Sequence, residues 1–162
     1  MAYSRHNNAR HGMINRNTII ASGIFKNVYD GRYTDGQRRG QRCVAKEFKI
    51  GSNIETYYFD QELAIISRTQ HIIDDWNAQG ILNQRILLNT PEIWLYGDTG
   101  RKCLIEPRIE NFEKFNSNTG WIHPNSDPWS EVMQALSHFS YHNSHGQLLL
   151  CDLQGGCYRD GW

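Results

Sequence analysis

Gln147-Leu148-Leu149-Leu150-Cys151-Asp152-Leu153-Gln154-Gly155-Gly156 is the stretch on which the reading of this chain turns. Its apolar run predicts a strand over 147–152 that delivers Asp152 into a glycine turn. If the strand continues, Asp152 and Gln154 stand at i and i+2 and share one face. A carboxylate and an amide oxygen, both hard donors, would then hold Mg²⁺ against phosphates. Taken alone the pattern is not specific, because strands often end in Asp-x-x-Gly turns that carry no chemistry.

Upstream, Cys43-Val44-Ala45-Lys46-Glu47-Phe48-Lys49 is a β-prone run in which Val44, Lys46 and Phe48 lie on one pleat face. Val-Ala-Lys on a strand is a cue for nucleotide-dependent phosphoryl transfer. Between these two stretches lie Ile105-Glu106-Pro107-Arg108-Ile109, then Phe112-Glu113-Lys114-Phe115-Asn116-Ser117-Asn118-Thr119-Gly120, then Ala135-Leu136-Ser137-His138-Phe139-Ser140-Tyr141. In kind and order these pieces resemble the alpha-type atypical protein kinases. That family carries Val-Ala-Lys, a Glu-Pro hinge, a Lys-Tyr/Phe-Asn-x-Asn-x-Gly segment, a Ser/Thr-His-Phe/Tyr-Ser/Thr-Tyr helix end and Asp-Leu-Gln-Gly. The resemblance covers roughly residues 19 to 157, and five motifs in register make coincidence a poor account of it.

The resemblance implies an α+β, two-lobed kinase-like fold with an antiparallel N-terminal sheet plus helix, and ATP between the lobes. It implies ATP-dependent phosphorylation of Ser or Thr in a protein substrate. Lys46 would contact the α- and β-phosphates, Glu106 and adjacent backbone the adenine, and Asp152 and Gln154 would coordinate Mg²⁺. Lys114, Asn116 and Asn118 match a segment lining the substrate side. Gly23 could let backbone N–H groups approach a phosphate, although a glycine in a tight turn needs no ligand. His138 matches one of four structural zinc ligands of the complete domain. The other three belong to a C-terminal His-x-Cys-x-x-x-Cys cluster that this sequence does not contain, and the Leu-Thr-Asp-Pro segment with the family's catalytic Asp is not found either. The expectation is therefore an alpha-type kinase domain over 18–162 lacking its zinc-binding part, with little phosphotransfer activity of its own. The rival is a catalytically inactive nucleotide-binding module or fragment.

A length of 162 residues suits one domain with a real core. The 17 basic and 17 acidic residues cancel, so bulk charge gives no argument for nucleic acid or an anionic membrane as partner. No apolar stretch approaches the ~18 residues of a membrane helix, and Met1-Ala2-Tyr3-Ser4-Arg5-His6 has no apolar signal core, which points to the cytoplasm. Cys43, Cys103, Cys151 and Cys157 lack Cys-x-x-Cys spacing and read as free thiols, most of them buried.

Residues 1–17, rich in Asn, Arg and His, read as a flexible leader. Residues 19–29 read as strand, glycine turn and strand, and Asp35-Gly36 with Gly40 as the next turn. Phe59, Leu63, Ile66, Ile73 and Trp76 predict a helix over 59–77, with Asp60 and Glu62 in its first turn. Either acid could pair with a strand lysine. A hairpin is predicted about Gly97-Asp98-Thr99-Gly100. Asp127-Pro128 opens a second helix with Val132, Ala135, Leu136 and Phe139 as its buried stripe. His138 and His142 lack the intervening Glu of His-Glu-x-x-His, which argues against zinc proteolysis.

Overall fold

The structure is a computed structural model and describes residues 4–49, 52–124 and 127–158. The chain divides into two compact units, Met1–Ile73 with Arg85–Arg108, and Asp74–Gln84 with Ile109–Trp162.

The first unit is built on a five-stranded antiparallel sheet of β2 (Gly12–Ser22), β3 (Lys26–Tyr33), β4 (Arg42–Phe48), β6 (Glu92–Leu95) and β7 (Lys102–Pro107), in the order β2-β3-β4-β7-β6. Its turns fall where the glycines stand. Gly23 N–H donates to Lys26 O at 2.9 Å, and Gly36 and Gly40 both take positive φ between β3 and β4. Gly100, also at positive φ, closes the β6–β7 hairpin by donating to Tyr96 O at 2.7 Å.

Alternation along β4 then sorts the core into two clusters. Cys43 and Ala45 bury one face with Tyr33, Cys103 and Ile105. Phe48 faces the other way, with Leu104, against helix α1 (Ser52–Ala78). There Phe59 meets the Phe48 ring edge-on at 5.1 Å while Tyr58 stacks on it at 5.3 Å. The predicted 59–77 helix thus exists with an extra N-terminal stretch. Its burial is concentrated at Phe59 and at Ile72, Ile73 and Trp76, whereas Leu63 is 44% exposed. No helix among the described residues is long and apolar enough to cross a membrane.

The flexible leader expected over 1–17 is not what the described part of that segment forms. Ser4–Arg5 is a strand, β1, running parallel to β5 (Leu88–Asn89), and β2 already begins at Gly12. Composition misled because polar residues can order a chain when each finds a partner. Asn7 is fully buried between Tyr33 and Ile105, and Asp35 accepts from the backbone N–H groups of Arg10 and His11 at 2.8 and 2.9 Å.

In the second unit, helix α2 (Pro128–Asn143) starts as its sequence predicts, with Asp127 as N-cap accepting from Trp129 N and Pro128 in the first turn. Leu136 is buried and Phe139 meets Trp76 edge-on at 5.3 Å, but Ala135 is exposed. Two short strands, β8 (Glu113–Lys114) and β9 (Gln154–Gly155), pair antiparallel.

The strand expected over 147–152 does not form. Backbone groups of that segment bind serine hydroxyls of α2 and its C-cap instead of a neighbouring strand. Leu150 N–H donates to Ser140 Oγ at 2.8 Å, and Ser144 Oγ accepts from Leu148 N at 2.8 Å. With these groups bound to serine hydroxyls, the segment enters no strand ladder.

Candidate active site

In the first unit, register decides which side chains meet. Lys46 of β4 stands opposite Val28 of β3 and Leu104 of β7, and Val44 stands opposite Asp30 and Glu106. Directly opposed residues project to the same side of a sheet, so Lys46 and Glu106 are diagonal neighbours on one face. The Lys46 ammonium Nζ lies 2.5 Å from Glu106 Oε1. The pair is sheltered, with the lysine side chain 28% and the glutamate side chain 11% exposed, so its attraction is far less screened than that of a surface pair.

Either acid of α1 could have paired with a strand lysine, and the structure assigns Glu62 to a different one. Glu62 binds Lys26 of β3, whose ammonium also lies 5.0 Å from the centre of the Phe48 ring. Lys46 is thus held by Glu106 of β7. Gly23 lies in the β2–β3 turn, where a Cβ would meet only Lys26 O at 3.9 Å, so the turn leaves open space beside its backbone.

In the second unit, Asp152 and the 113–118 segment form one cluster, although 34 or more positions separate them in sequence. Leu153 is gripped from both sides of its peptide: Phe115 N–H donates to Leu153 O at 2.9 Å, and Leu153 N–H donates to Asn116 Oδ1 at 2.9 Å. Asn116 is buried, and its amide also donates to Gln134 Oε1 and Ser137 Oγ of α2, each at 3.1 Å. The turn fixed in this way presents Asp152, whose Oδ1 accepts from Asn118 N at 3.4 Å and lies 3.3 Å from Lys114 Nζ. Gly156 lets the same turn close, since a Cβ there would strike Glu110 O and come within 2.9 Å of Ile109 Cγ2.

Asp152 and Gln154 do not share a strand face as their i, i+2 spacing predicts. Asp152 has φ +56°, a left-handed conformation, so strand alternation does not carry both side chains to one face. Gln154 is placed instead by β9, opposite Lys114. A carboxylate that already has an ammonium group within 3.3 Å, and is itself half exposed, fits a cation. Mg²⁺ asks for only one or two protein carboxylates beside water and phosphate oxygens. Asp152 would supply one such carboxylate, with the Gln154 amide oxygen as a second hard donor two residues on.

Zinc fits less well. His138 is exposed on α2 with its ring centre 4.4 Å from that of His142, and the described residues contain no cluster of three or more His, Cys, Asp or Glu able to hold a metal. Two imidazoles do not make a tetrahedral structural site.

The ion pair of Lys114 with Asp152 is a contact that the sequence does not announce. The position of Lys114 inside the Lys-Phe-Asn-Ser-Asn-Thr-Gly motif was the available signal, but a pairing across 38 residues has no local signature.

The sequence model of the Alpha-kinase family matches residues 21–160. Myosin heavy chain kinase B of Dictyostelium discoideum is 39% identical over 139 residues, covering 84% of this chain and 18% of that protein. Alpha-protein kinase 1 of the same organism is 26% identical over 145 residues, covering 88% of this chain and 10% of that protein. The chain thus spans less than a fifth of the length of either relative. Among solved structures, the C-terminally truncated alpha-kinase domain of myosin heavy chain kinase matches with a TM-score of 0.72 at 18% identity, covering 90% of this chain and 72% of that one. The alpha-kinase domain of myosin heavy chain kinase A in complex with AMP matches with a TM-score of 0.67 at 20% identity, covering 90% and 72%. With the family profile spanning most of its residues and the fold shared with these domains, the chain belongs to the alpha-kinase family.

Proposed function

We propose that this chain binds ATP with Mg²⁺ and forms part of a protein kinase that transfers the γ-phosphate to Ser or Thr of a protein substrate. The observation that carries the reading is the sheltered Lys46–Glu106 pair on one face of the sheet. Phosphoryl transfer needs positioned charge around the phosphates more than covalent participation by the protein. In this reading Lys46 turns its ammonium to the phosphates, and Glu106 with the backbone beside it takes the adenine. Gly23 adds no side chain at its own position in the β2–β3 turn, where phosphate oxygens would approach the backbone. The solved relative in complex with AMP supports nucleotide binding by this fold.

Asp152 holds the metal, with Gln154 contributing its amide oxygen. Held there, Mg²⁺ would supply positive charge to offset that developing on the phosphate oxygens. Lys114, at 3.3 Å, keeps the carboxylate oriented until the cation arrives, and Asn116 and Asn118 hold the turn that presents it. The four free cysteines suit the reducing cytosol, where we place the reaction.

Titration calorimetry with ATP and Mg²⁺ tests the reading on the full chain. Lys46→Ala and Asp152→Ala should each weaken binding by about 1–3 kcal/mol, the range of charge-assisted contacts. Unchanged affinity in both variants would overturn it. Transfer of labelled γ-phosphate to paired Ser, Thr and Tyr peptides checks the acceptor.

A further inference from the structure

We propose that Asn7 is a positioning residue for the nucleotide contact at Glu106, acting through the main chain of the hinge strand. The proposal rests on the reading that Glu106 takes the adenine.

Strand β6 begins at Glu92, opposite Ile105, and is preceded by Pro91, which has no N–H to offer. Past Ile105, therefore, β7 has no strand on that edge among the described residues. Carbonyls of residues two apart point to the same edge of a strand, so Ile105 O and Pro107 O are the groups left facing it. Two asparagine amides fill the gap. Asn7 Nδ2 donates to Ile105 O at 2.9 Å and Asn89 Nδ2 donates to Pro107 O at 2.9 Å. Glu106 sits between these two fixed carbonyls.

Both amides trace back to the N-terminal segment. Asn89 belongs to β5, whose one ladder is the parallel pairing of Ser4 with Leu88 and Arg5 with Asn89, extended by Thr90 N–H donating to Arg5 O at 2.9 Å. Asn7 follows two residues later and is fully buried, its own Oδ1 accepting from the Tyr33 hydroxyl. On the opposite edge of β7, Arg108 N–H donates to Arg42 O at 3.1 Å, and the Arg108 guanidinium reaches Asp30 at 2.7 Å. The peptide units around Glu106 are thereby fixed from both edges, and the carboxylate is held where it meets Lys46. A segment that reads as a leader supplies half of that frame.

Three variants of the full chain separate positioning from mere stability, with adenosine and ATP titrated by calorimetry and melting followed in parallel. Asn7→Asp keeps the acceptor for Tyr33 but loses the donor to Ile105 O. It should weaken adenosine and ATP by the same factor, roughly five- to tenfold, the size of one lost neutral hydrogen bond. Asn89→Ala should do the same and carries the test if Asn7→Asp does not fold. Tyr33→Phe removes the other hydrogen bond of Asn7 and should lower the melting temperature while leaving both affinities as they are. Wild-type affinity in folded Asn7→Asp and Asn89→Ala, or an equal affinity loss in Tyr33→Phe, overturns the proposal. Glu106→Ala distinguishes the two ways of failing. If it leaves adenosine affinity unchanged, the adenine reading falls and the positioning role with it. If it weakens adenosine while neither asparagine variant does, the positioning role alone falls.

Discussion

Lys46 and Glu106 are ion-paired at 2.5 Å although neither is the other's register partner, because the diagonal across β4 and β7 is short enough for a lysine to span. In a sheltered spot this pair should couple more strongly than a surface pair. A double-mutant cycle with Lys46→Met and Glu106→Gln, read by urea unfolding, should give a coupling of about 1–2 kcal/mol. A value near zero would mean that water screens the pair as it screens exposed ones.

Asn116 is the joint of the second unit, with one side chain satisfying Leu153 N–H, Gln134 and Ser137. Asn116→Ala leaves a backbone donor and two side chains without their partner and should cost about 1–3 kcal/mol of stability. Hydrogen exchange should localise the loss, with the Leu153 amide exchanging faster than in the wild type. Protection of that amide in the variant would show that the Asp152 turn does not depend on Asn116.

Asp35 lies at the base of the β3–β4 turn and ties it to residues 10 and 11. The Arg10 backbone N–H, then the His11 side chain and backbone N–H, hold its carboxyl at about 2, below the usual carboxylate range. The folded-state value being depressed, the stabilisation is fully present above the unfolded value of roughly 4 and is lost as pH falls through the folded value. The wild type should therefore lose stability between about pH 4 and pH 2 more steeply than Asp35→Asn. Parallel slopes for the two proteins over that window would contradict this role.

The turns, both helices and the central strands were legible because each has a local cause: Gly36, Gly40 and Gly100 at positive φ, Asp127-Pro128 at a helix start, alternation in 43–48. Lys46 and Asp152 stand out in the sequence as candidates because of their motifs. What sequence could not give was pairing. The 147–152 segment looks like a strand by composition, yet the hydroxyls of Ser140 and Ser144 claim its backbone. Residues 4–11 look disordered by composition, yet Asn7 finds two partners that lie 26 and 98 positions away. Likewise the bonding of Asp152 to Lys114 and Asn118 depends on a β8–β9 pairing of only two residues each.

The four thiols should divide by reactivity, and the division tests whether the sheet core is closed. Cys43 and Cys103 are buried on β4 and β7, and burial above all pushes their thiols up to about 12 and about 11. Since the thiolate is the reactive species, both should resist an alkylating reagent near pH 8 for as long as the protein is folded. Cys151 and Cys157 are exposed; partial burial first, and then neighbouring carboxylates, Asp152 for the one and Asp127 and Glu113 for the other, raise them less. They should be labelled first. Mass spectrometry of a labelling time course should show two additions per chain in the folded protein, mapped to peptides containing Cys151 and Cys157. Two more should follow only in denaturant. Labelling of all four at one rate in buffer would mean that the cluster around Tyr33, Ala45 and Ile105 opens as fast as the surface reacts, and the closed sheet core described above would be wrong.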